Sequence, residues 1–301
     1  MMMFSLGYFL QQVMNGVILG CIYALLALGM TVVYGILRLI NFAHGALITL
    51  GAFFIYFVSF RWGLPLVGSV FLVLGFGALM GLVLDIVAYR KLRGGPEVAL
   101  LITSLGFYTF IENFLKMLIS PQPYAFKTPA YLNTMFRTRF LTFRTIDIFI
   151  IAISITLMLL FHLFVKKSKM GIAMRATSEN LEIARIMGIE INRVILVAFA
   201  IGSALAALTG FMWGAKYGQI SYDMGFLTGV KAFVAVVVGG VGSIPGAMLG
   251  GFILGLAEIL AVAFLPTTFA VYRDGIVFAI LILVFLIKPS GLMGVKEEVR
   301  V

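Results

Sequence analysis

Long runs of apolar residues alternate with short polar or glycine-rich gaps along the whole chain. An uninterrupted run of roughly 20 apolar residues is long enough to cross the hydrocarbon core of a bilayer as a helix. The pattern therefore predicts an all-α polytopic membrane protein with about 8–9 transmembrane helices, including a broken or re-entrant segment. The apolar runs lie at residues 12–36, 40–60, 66–89, 98–119, 146–165, 194–215, 228–264 and 273–287.

The run at residues 228–264 is too long for a single span. As a straight helix it would measure about 55 Å, nearly twice the thickness of the hydrocarbon core. The sequence GGVGSIPG interrupts the run near its middle. We therefore expect a short or re-entrant segment here, followed by a full span.

Basic residues in the gaps predict the orientation of the spans, because cytoplasmic loops carry an excess of lysine and arginine. Three basic regions are expected in the cytoplasm: Arg90, Lys91 and Arg93; the insert at 166–193 with Lys166, Lys167, Lys169, Arg175, Arg185 and Arg193; and the tail with Lys288, Lys296 and Arg300. Strict alternation then places the N-terminus and the loop at 120–145 outside. That loop departs from the rule, since it holds Lys127, Arg137, Arg139 and Arg144. We expect residues 1–301 to form one transmembrane domain.

The insert at residues 166–193, KKSKMGIAMRATSENLEIARIMGIEINR, is basic and helix-forming. Thr177 or Ser178 is suited to cap a helix N-terminus, and Gly188 suits the position just after a helix C-terminus. We therefore expect a short helix over residues 179–187, which is too short to cross a bilayer. Its mixture of apolar and charged residues is typical of a docking element or, alternatively, of a helix lying on the membrane surface.

The composition agrees with a membrane protein, since 62% of the residues are hydrophobic and 11% are charged. The formal net charge of +10 does not indicate nucleic-acid binding, because the basic residues lie in short gaps between apolar runs. Cys21 is the single cysteine of the sequence, which excludes an intrachain disulfide and a cysteine-rich metal site. No basic residue precedes Arg38, so we expect the first span to be retained rather than cleaved as a signal peptide.

Ionisable residues inside the apolar runs are costly in hydrocarbon and mark candidate functional positions. They are His44, Asp85, Glu112, Lys116, Lys231 and Glu258. Asp85, Glu112 and Lys116 lie near the ends of runs, where their side chains are expected to reach the interface. Glu112 and Lys116 are also spaced for an i,i+4 ion pair. Glu258 is the most deeply placed acid, with either a helix-packing role or a role in a transport pathway.

Two glycine clusters interrupt apolar runs, one at residues 34–53 and one at residues 239–251. Broken helices are tolerated inside a membrane where the freed backbone groups are buried in protein or line an aqueous cavity. Each cluster is therefore a candidate gate or, alternatively, a tight turn between consecutive spans.

Enzyme chemistry is not indicated by the sequence. His44 and His162 are the two histidines, and neither has an acidic or metal-ligand neighbour at helical spacing. We expect no catalytic residue and no metal site. The chain also lacks the GxxxxGK[ST] sequence that holds nucleotide phosphates and magnesium.

Three motifs resemble those of a known family: YGILRLINFAHGALITLGAF near the start, RATSENLEIARIMGI in the basic insert, and VVVGGVGSIPGAMLGGFILG near the end. In their order and spacing they are similar to the permease subunit of bacterial ABC importers for branched-chain amino acids. The resemblance runs from about Asn15 to Gly291. Of the two paired permease types in that family, the chain resembles the H-type subunit.

The resemblance implies that the insert carries a coupling helix, which in this family enters a groove on the nucleotide-binding subunit. The pattern is Glu, Ala, then Gly, and Glu182, Ala184 and Gly188 match it. Ile183 intervenes where the full signature has two adjacent alanines after the glutamate. The residues expected to couple the chain to an ATPase are Arg175, Glu179, Leu181, Glu182, Ala184, Arg185 and Gly188.

The resemblance also implies a set of partners: a second homologous permease, two ABC ATPase subunits that bind ATP and magnesium, and an extracytoplasmic substrate-binding protein that meets the loop at 120–145. No cofactor is expected in this chain, which would lie in the bacterial inner membrane. Substrate is then expected to pass inward by alternating access. The pathway residues expected are Asn41, His44, Gly45, Gly240, Gly242, Ser243, Pro245 and Glu258.

Alternative functions remain open at this stage. Related permeases import urea or short aliphatic amides, and no residue of this sequence separates those substrates from leucine, isoleucine and valine. An ion-coupled secondary carrier is a more distant alternative. It would need Asp85, Glu112 or Glu258 to bind a proton or a sodium ion.

Overall fold

The computed structural model describes residues 6–61, 63–119, 121–266 and 272–294. Most of these residues are helical. The helices in chain order are α1 (Leu6–Leu37), α2 (Ala43–Ile55), α3 (Leu66–Leu84), α4 (Glu97–Leu118), α5 (Thr145–Lys167), α6 (Lys169–Glu179), α7 (Leu181–Ile186), α8 (Ile191–Tyr217), α9 (Met224–Gly239), α10 (Ile244–Phe264) and α11 (Arg273–Ile287). Two π-helical segments, Tyr56–Arg61 and Asp85–Tyr89, continue α2 and α3.

Short strands lie between the helices. They are β1 (Tyr124–Ala125), β2 (Met135–Arg137), β3 (Thr142–Arg144) and β4 (Gln219–Ile220), with a 3₁₀ turn at Ala130–Leu132. β2 and β3 form an antiparallel hairpin, and β1 pairs antiparallel with β4. These strands are too short to form a sheet core, so the fold is held together by helix packing.

Each apolar run of the sequence contains a helix, as predicted. Within the described residues, six helices are long and apolar enough to cross a membrane. Two further apolar helices, Ala43–Ser59 and Met224–Gly239, are shorter than a full span, and α11 has 15 residues. The chain is therefore a multi-pass membrane protein, and the figure of 8–9 spans stays a prediction. The long run divides into α9 and α10, which confirms a short segment followed by a helix of spanning length.

Contacts between loops show which helix ends lie together. The pairing of β1 with β4 joins the loop at 120–145 to the connection between α8 and α9. Gln11, near the start of α1, donates a hydrogen bond to the Thr142 carbonyl at 2.9 Å and accepts one from the Thr142 amide at 2.7 Å. The N-terminal end of α1 therefore lies at the same end of the bundle as this loop. The insert at 166–193 lies at the far end of α5. The side of the membrane that the loop and the insert each face stays a prediction.

The helix α1 is the centre of the bundle, and close packing against α10 explains its glycines. Both helices carry small residues four apart: Gly16 and Gly20 in α1, and Gly251 and Gly255 in α10. A Cβ on Gly20 would lie 2.9 Å from the Phe252 Cα, closer than Cβ atoms approach other atoms. Small residues at this spacing let two helix backbones approach closely in a membrane. From Gly16 onward α1 is largely buried among other helices, and nearly all of its residues there are apolar.

Candidate functional site

The basic insert forms two helices rather than one. We predicted one helix over 179–187 capped by Thr177 or Ser178, and the predicted start and cap of this helix are wrong. Glu179 ends α6, and the N-cap of α7 is Asn180, whose Oδ1 accepts hydrogen bonds from the amides of Glu182 at 2.9 Å and Ile183 at 3.0 Å. The hydroxyls of Thr177 and Ser178 instead donate to carbonyls of α6, which leaves Asn180 to satisfy the free amides.

The end of α7 is set by Gly188, as predicted. Gly188 has φ +82°, a left-handed conformation that glycine adopts without steric cost. Its amide bonds to the Arg185 carbonyl at 3.0 Å, and the Ile189 amide bonds to the Ala184 carbonyl at 3.1 Å. This pair of bonds is the Schellman motif, which satisfies the last carbonyls of a helix and fixes the exit of the chain. The link from α7 to α8 is therefore short and ordered.

The side chains of α7 divide between an inner and an outer face. Ala184 is buried, with 2% of its surface exposed. The apolar residues around it point outward, and Ile183, Ile186 and Met187 are 59%, 84% and 76% exposed. Leu181, Glu182 and Arg185 are also exposed, so the outer face of α7 is an apolar patch edged by one acidic and one basic residue.

Arg175 lies one helix earlier, in α6, and its guanidinium donates to the Lys166 carbonyl at 3.4 Å. Together with Met174 and Ser178 it lines a shallow groove. The groove is also lined by residues of α1 and by Gly242 and Ile244. The insert and the second glycine cluster therefore face the same groove.

The first glycine cluster contains a true break between α1 and α2, at residues 38–42. Asn41 is buried there, and its Oδ1 accepts a hydrogen bond from the Tyr89 hydroxyl at 2.7 Å. His44, in the first turn of α2, is also buried and its ring lies against Gly29. Gly45 lies where α2 meets α9, since a Cβ on Gly229 would be 3.0 Å from the Gly45 Cα. In this conformation the three predicted pathway residues of this break are enclosed by other helices.

The second break separates α9 from α10 at residues 240–243. Gly240 and Gly242 have φ of +111° and +80°, which favour glycine at both positions. The Ser243 hydroxyl accepts a hydrogen bond from the Gly246 amide at 3.1 Å, and Pro245 lies in the first turn of α10. Both residues are suited to begin a helix, since serine caps it and proline lacks the amide that would be left unpaired.

The carbonyls freed at the end of α9 are satisfied by the chain after α11. The Leu292 amide donates to the Val238 carbonyl at 2.9 Å, and the Met293 amide donates to the Gly239 carbonyl at 2.8 Å. Val238 and Gly239 are buried, and unpaired buried backbone groups are costly, so this segment removes that cost. The C-terminal segment therefore completes the backbone hydrogen bonding of this break. Lys296 and Arg300, which we predicted in the cytoplasmic tail, lie outside the described residues.

The first break directly follows the C-terminal end of α1. The second break lies at the same end, because a Cβ on Gly35, near that end of α1, would be 3.8 Å from the Gly242 Cα. Glu258 is not part of either break. It follows Pro245 by thirteen residues of one continuous helix, which corresponds to about 20 Å at 1.5 Å per residue.

Glu258 belongs to a separate cluster that joins four helices. Lys231 Nζ of α9 lies 2.7 Å from Glu258 Oε1 of α10 and 2.7 Å from Asp274 Oδ1 of α11. The Tyr23 hydroxyl of α1 donates to Glu258 Oε2 at 2.8 Å. Lys231 and Glu258 are both buried. Each buried charge has a charged partner, which is the condition under which ionised groups are tolerated away from water.

The polar residues near the span ends behave differently from one another. We predicted that the Asp85 side chain would reach the interface, and this is wrong, because Asp85 is fully buried and pairs with Arg93, which folds back over it from the following loop. Lys116 is exposed, as predicted, and its Nζ lies 5.4 Å from the centre of the Tyr222 ring.

Among the described residues there is no group of three or more His, Cys, Asp or Glu that could hold a metal ion. Asp274 and Tyr23 were not predicted as members of the buried cluster, and Lys231 and Glu258 were predicted as separate candidates. Both charges were visible as ionisable residues in apolar runs. Their pairing was not visible, because their side chains meet only through the packing of α9 against α10.

Comparisons with known proteins agree with this architecture. The sequence model of the family described as "Branched-chain amino acid transport system / permease component" matches residues 12–285. The chain is 39% identical over 308 aligned positions to the high-affinity branched-chain amino acid transport system permease protein LivH of Escherichia coli K12, with 98% of each chain covered. It is 38% identical over 306 positions to the corresponding protein BraD of Pseudomonas aeruginosa, again with 98% of each covered. The probable permease LivH of Methanocaldococcus jannaschii is 27% identical over 95% of this chain and 93% of its own.

Proposed function

This chain belongs to the family of permease components of branched-chain amino acid transport systems, and on that premise we propose that it imports leucine, isoleucine and valine as the membrane-spanning subunit of an ATP-driven ABC importer. The observation that carries the proposal is the similarity to high-affinity branched-chain amino acid permeases along almost the whole chain. The chain itself performs no covalent chemistry. In this proposal the energy comes from ATPase partners, and the sequence has no phosphate-binding loop of its own.

The α7 helix is the proposed docking element for an ATPase subunit. Its outer face combines the exposed apolar side chains of Ile183, Ile186 and Met187 with the charges of Glu182 and Arg185. An apolar centre with a charged rim is the usual composition of a protein interface. Ala184 faces inward, so in this proposal it seats α7 on the permease while its neighbours meet the ATPase.

In the proposed mechanism, closure of the ATPases on ATP displaces α7, and the ordered link at Gly188 carries the displacement into α8. The two helix breaks then act as the flexible points at which α2 and α10 change their angle. Two supports for this role are the groove that Arg175 and Gly242 both line and the backbone bonds that complete the second break. Alternating exposure of a pathway to the two sides would follow.

The remaining partners are proposed on the same premise. A second permease subunit would complete the translocation pathway, and a binding protein would deliver substrate to the loop at 120–145. That loop presents the hairpin β2–β3, with exposed Met135 and Phe136, at the end of the bundle opposite α7. The complex would lie in a bacterial cytoplasmic membrane.

Uptake by the reconstituted complex tests the proposal. Proteoliposomes that contain the permease, its co-purified partners and the binding protein are loaded with ATP and given labelled leucine. We expect accumulation that requires internal ATP, survives a protonophore, and is competed by isoleucine and valine but not by urea or acetamide. Competition by the amides would instead support the amide-importing alternative. Accumulation that collapses with the protonophore and continues without ATP would refute an ATP-driven importer.

A further inference from the structure

The guanidinium of Arg93 joins two parts of the chain that are far apart in sequence. Arg93 Nη2 donates to Asp85 Oδ1, and Arg93 Nη1 donates to Asn192 Oδ1 at 2.8 Å. Arg93 lies in the loop between α3 and α4, whereas Asn192 is the second residue of α8. A single planar group with several donors can hold two such acceptors in a fixed relation.

Asn192 is held rigidly to the end of α7. Three residues separate it from Gly188, and the Gly188 and Ile189 amides both bond back into α7. On the other side, the amides of Arg193 and Val194 bond to the Glu190 carbonyl at 3.0 and 3.1 Å. The backbone between α7 and Asn192 therefore has little freedom to absorb a movement of α7.

Asp85 begins the π-helical segment Asp85–Tyr89, whose last residue contacts the first helix break. The Tyr89 hydroxyl donates to Asn41 Oδ1 at 2.7 Å, and the Tyr89 ring lies 5.2 Å from the ring of Phe199 in α8. π-Helical segments inside α-helices frequently mark functional positions. A movement of Asp85 would thus reach Asn41, immediately before α2, through one short segment.

The two contacts of Arg93 differ in how easily they break. The Asp85 carboxylate is fully buried, so losing Arg93 would leave a charge without its partner. The contact with Asn192 is exposed and joins a charged donor to a neutral acceptor. The ion pair is therefore the permanent part of the connection and the Asn192 contact is the reversible part.

We propose that Arg93 is a positioning residue that transmits the displacement of α7 to the break before α2, through Asn192 on one side and Asp85–Tyr89 on the other. The proposal rests on the proposed function of α7 as the ATPase docking element. It gives the importer a second mechanical connection, besides the direct continuation of α7 into α8.

The test uses Asn192→Ala in the complete complex, reconstituted with its ATPases and binding protein. This substitution removes the acceptor but leaves the buried pair of Arg93 with Asp85. We expect uptake per ATP hydrolysed to fall about tenfold, within the usual range for coupling between two sites. The amount of bound ATPase and the unfolding temperature should match the wild type. Asn192→Asp, which keeps an acceptor for Arg93, should restore coupling to within about twofold.

Tyr89→Phe tests the other end of the connection, because it removes the bond to Asn41 and keeps the ring. It should lower uptake per ATP in the same way. The matched controls are Asn113→Ala and Tyr8→Phe. Asn113 donates a hydrogen bond within its own helix, to the Thr109 carbonyl, and Tyr8 lies at the opposite end of α1 from the break.

Wild-type coupling in both Asn192→Ala and Tyr89→Phe would overturn the proposal. So would a joint loss of ATPase binding and thermal stability in Asn192→Ala, since that result indicates a structural role alone. Failure of the proposed function is separate from both, because it would appear as absence of ATP-driven uptake in the wild-type complex.

Discussion

Lys231 Nζ lies 2.7 Å from Glu258 Oε1, so an ion pair joins the two helices that flank the second break. The same ammonium lies 2.7 Å from Asp274 Oδ1, and Tyr23 donates to the other oxygen of Glu258. Lys231 therefore links α9 to α10 and α11 through ion pairs, and the hydrogen bond of Tyr23 links α1 to the same cluster. The cluster lies along the helices and away from the break itself, so it keeps them in register while the break remains free to bend.

Replacing Lys231 should destabilise the protein strongly. Lys231→Met leaves Glu258 and Asp274 facing each other without the cation, and breaking a buried pair in this way typically costs about 3–5 kcal/mol. Glu258→Gln should cost less, because Asp274 still pairs with Lys231. Unfolding temperatures of the detergent-purified protein measure both effects. Lys116→Met serves as the control, since that lysine is exposed. An unchanged unfolding temperature in Lys231→Met would contradict this account of the cluster.

A charged substitution on the outer face of α7 should weaken the binding of the proposed ATPase partner. Ile186→Glu places a carboxylate in the centre of the exposed apolar patch, where a partner would have to bury it, and burying an unpaired charge is costly. We expect at least about tenfold less ATPase in co-purification, with an unchanged unfolding temperature of the permease. Met135→Glu is the matched control, because Met135 is an equally exposed apolar residue on the hairpin at the opposite end. Equal loss of ATPase in both variants would argue against a specific site on α7.

The link after α7 should be sensitive to side-chain shape at Gly188. Gly188→Val puts a β-branched residue at φ +82°, and a left-handed conformation costs such a residue roughly 1–2 kcal/mol or more. Open space surrounds this position, so the effect comes from the backbone alone. We expect ATP hydrolysis to continue while uptake falls several-fold. Gly188→Asn should retain most of the uptake, since asparagine tolerates this conformation. Normal uptake by Gly188→Val would refute the proposed coupling role of this turn.

Replacing a glycine at the contact between α1 and α10 by a larger residue should disrupt the packing of these two helices. Gly20→Leu inserts a side chain where a single Cβ would already lie 2.9 Å from the Phe252 Cα. Overpacking of this kind costs about 1–3 kcal/mol and more when backbone atoms must move. The yield of monodisperse protein and its unfolding temperature should both drop. Gly75→Leu is the control, because no atom lies within 4 Å of a Cβ at that position. Equal behaviour of the two variants would rule out the packing argument.

The spans and the second break were predictable from sequence because the membrane imposes simple rules. A segment in hydrocarbon has to satisfy its backbone hydrogen bonds internally, so every long apolar run became a helix. The sequence GGVGSIPG carries two glycines that adopt positive φ, together with a serine cap and a proline in the first turn of α10. Each of these residues has a local preference that needs no tertiary contact to be recognised.

The start of α7 was not predictable with the same rules. Thr177, Ser178 and Asn180 are all common helix caps and lie within four positions of one another. The choice between them depends on how far α6 extends, and α6 is held by its own cap at Ser168 and by the burial of Met174 and Thr177 against its neighbours. The prediction chose Thr177 or Ser178 on local preference, whereas the packing of α6 leaves Asn180 as the cap.

The partners of the buried charged residues were also not predictable from the sequence. Asp85 was expected at the interface because it lies near the end of a run, but Arg93 returns over it and allows it to remain inside. Tyr23 and Glu258 are 235 positions apart and meet only because α1 packs against α10. Side chains on different helices share no periodic signal, so such pairs appear only when the helices are assembled.

Cross-linking from the outer face of α7 tests whether this helix docks on an ATPase subunit. Cys21 is buried and is the single cysteine of the sequence, so Ile186→Cys provides one exposed site for a short photoreactive label. The labelled protein is irradiated within its native complex, and the adducts are identified by mass spectrometry. We expect a cross-link to a P-loop ATPase from position 186 and none when the same label is placed at Tyr131→Cys, at the opposite end. A label at Ile186 that reacts with lipid alone, in membranes where the ATPase is present, would contradict docking through α7.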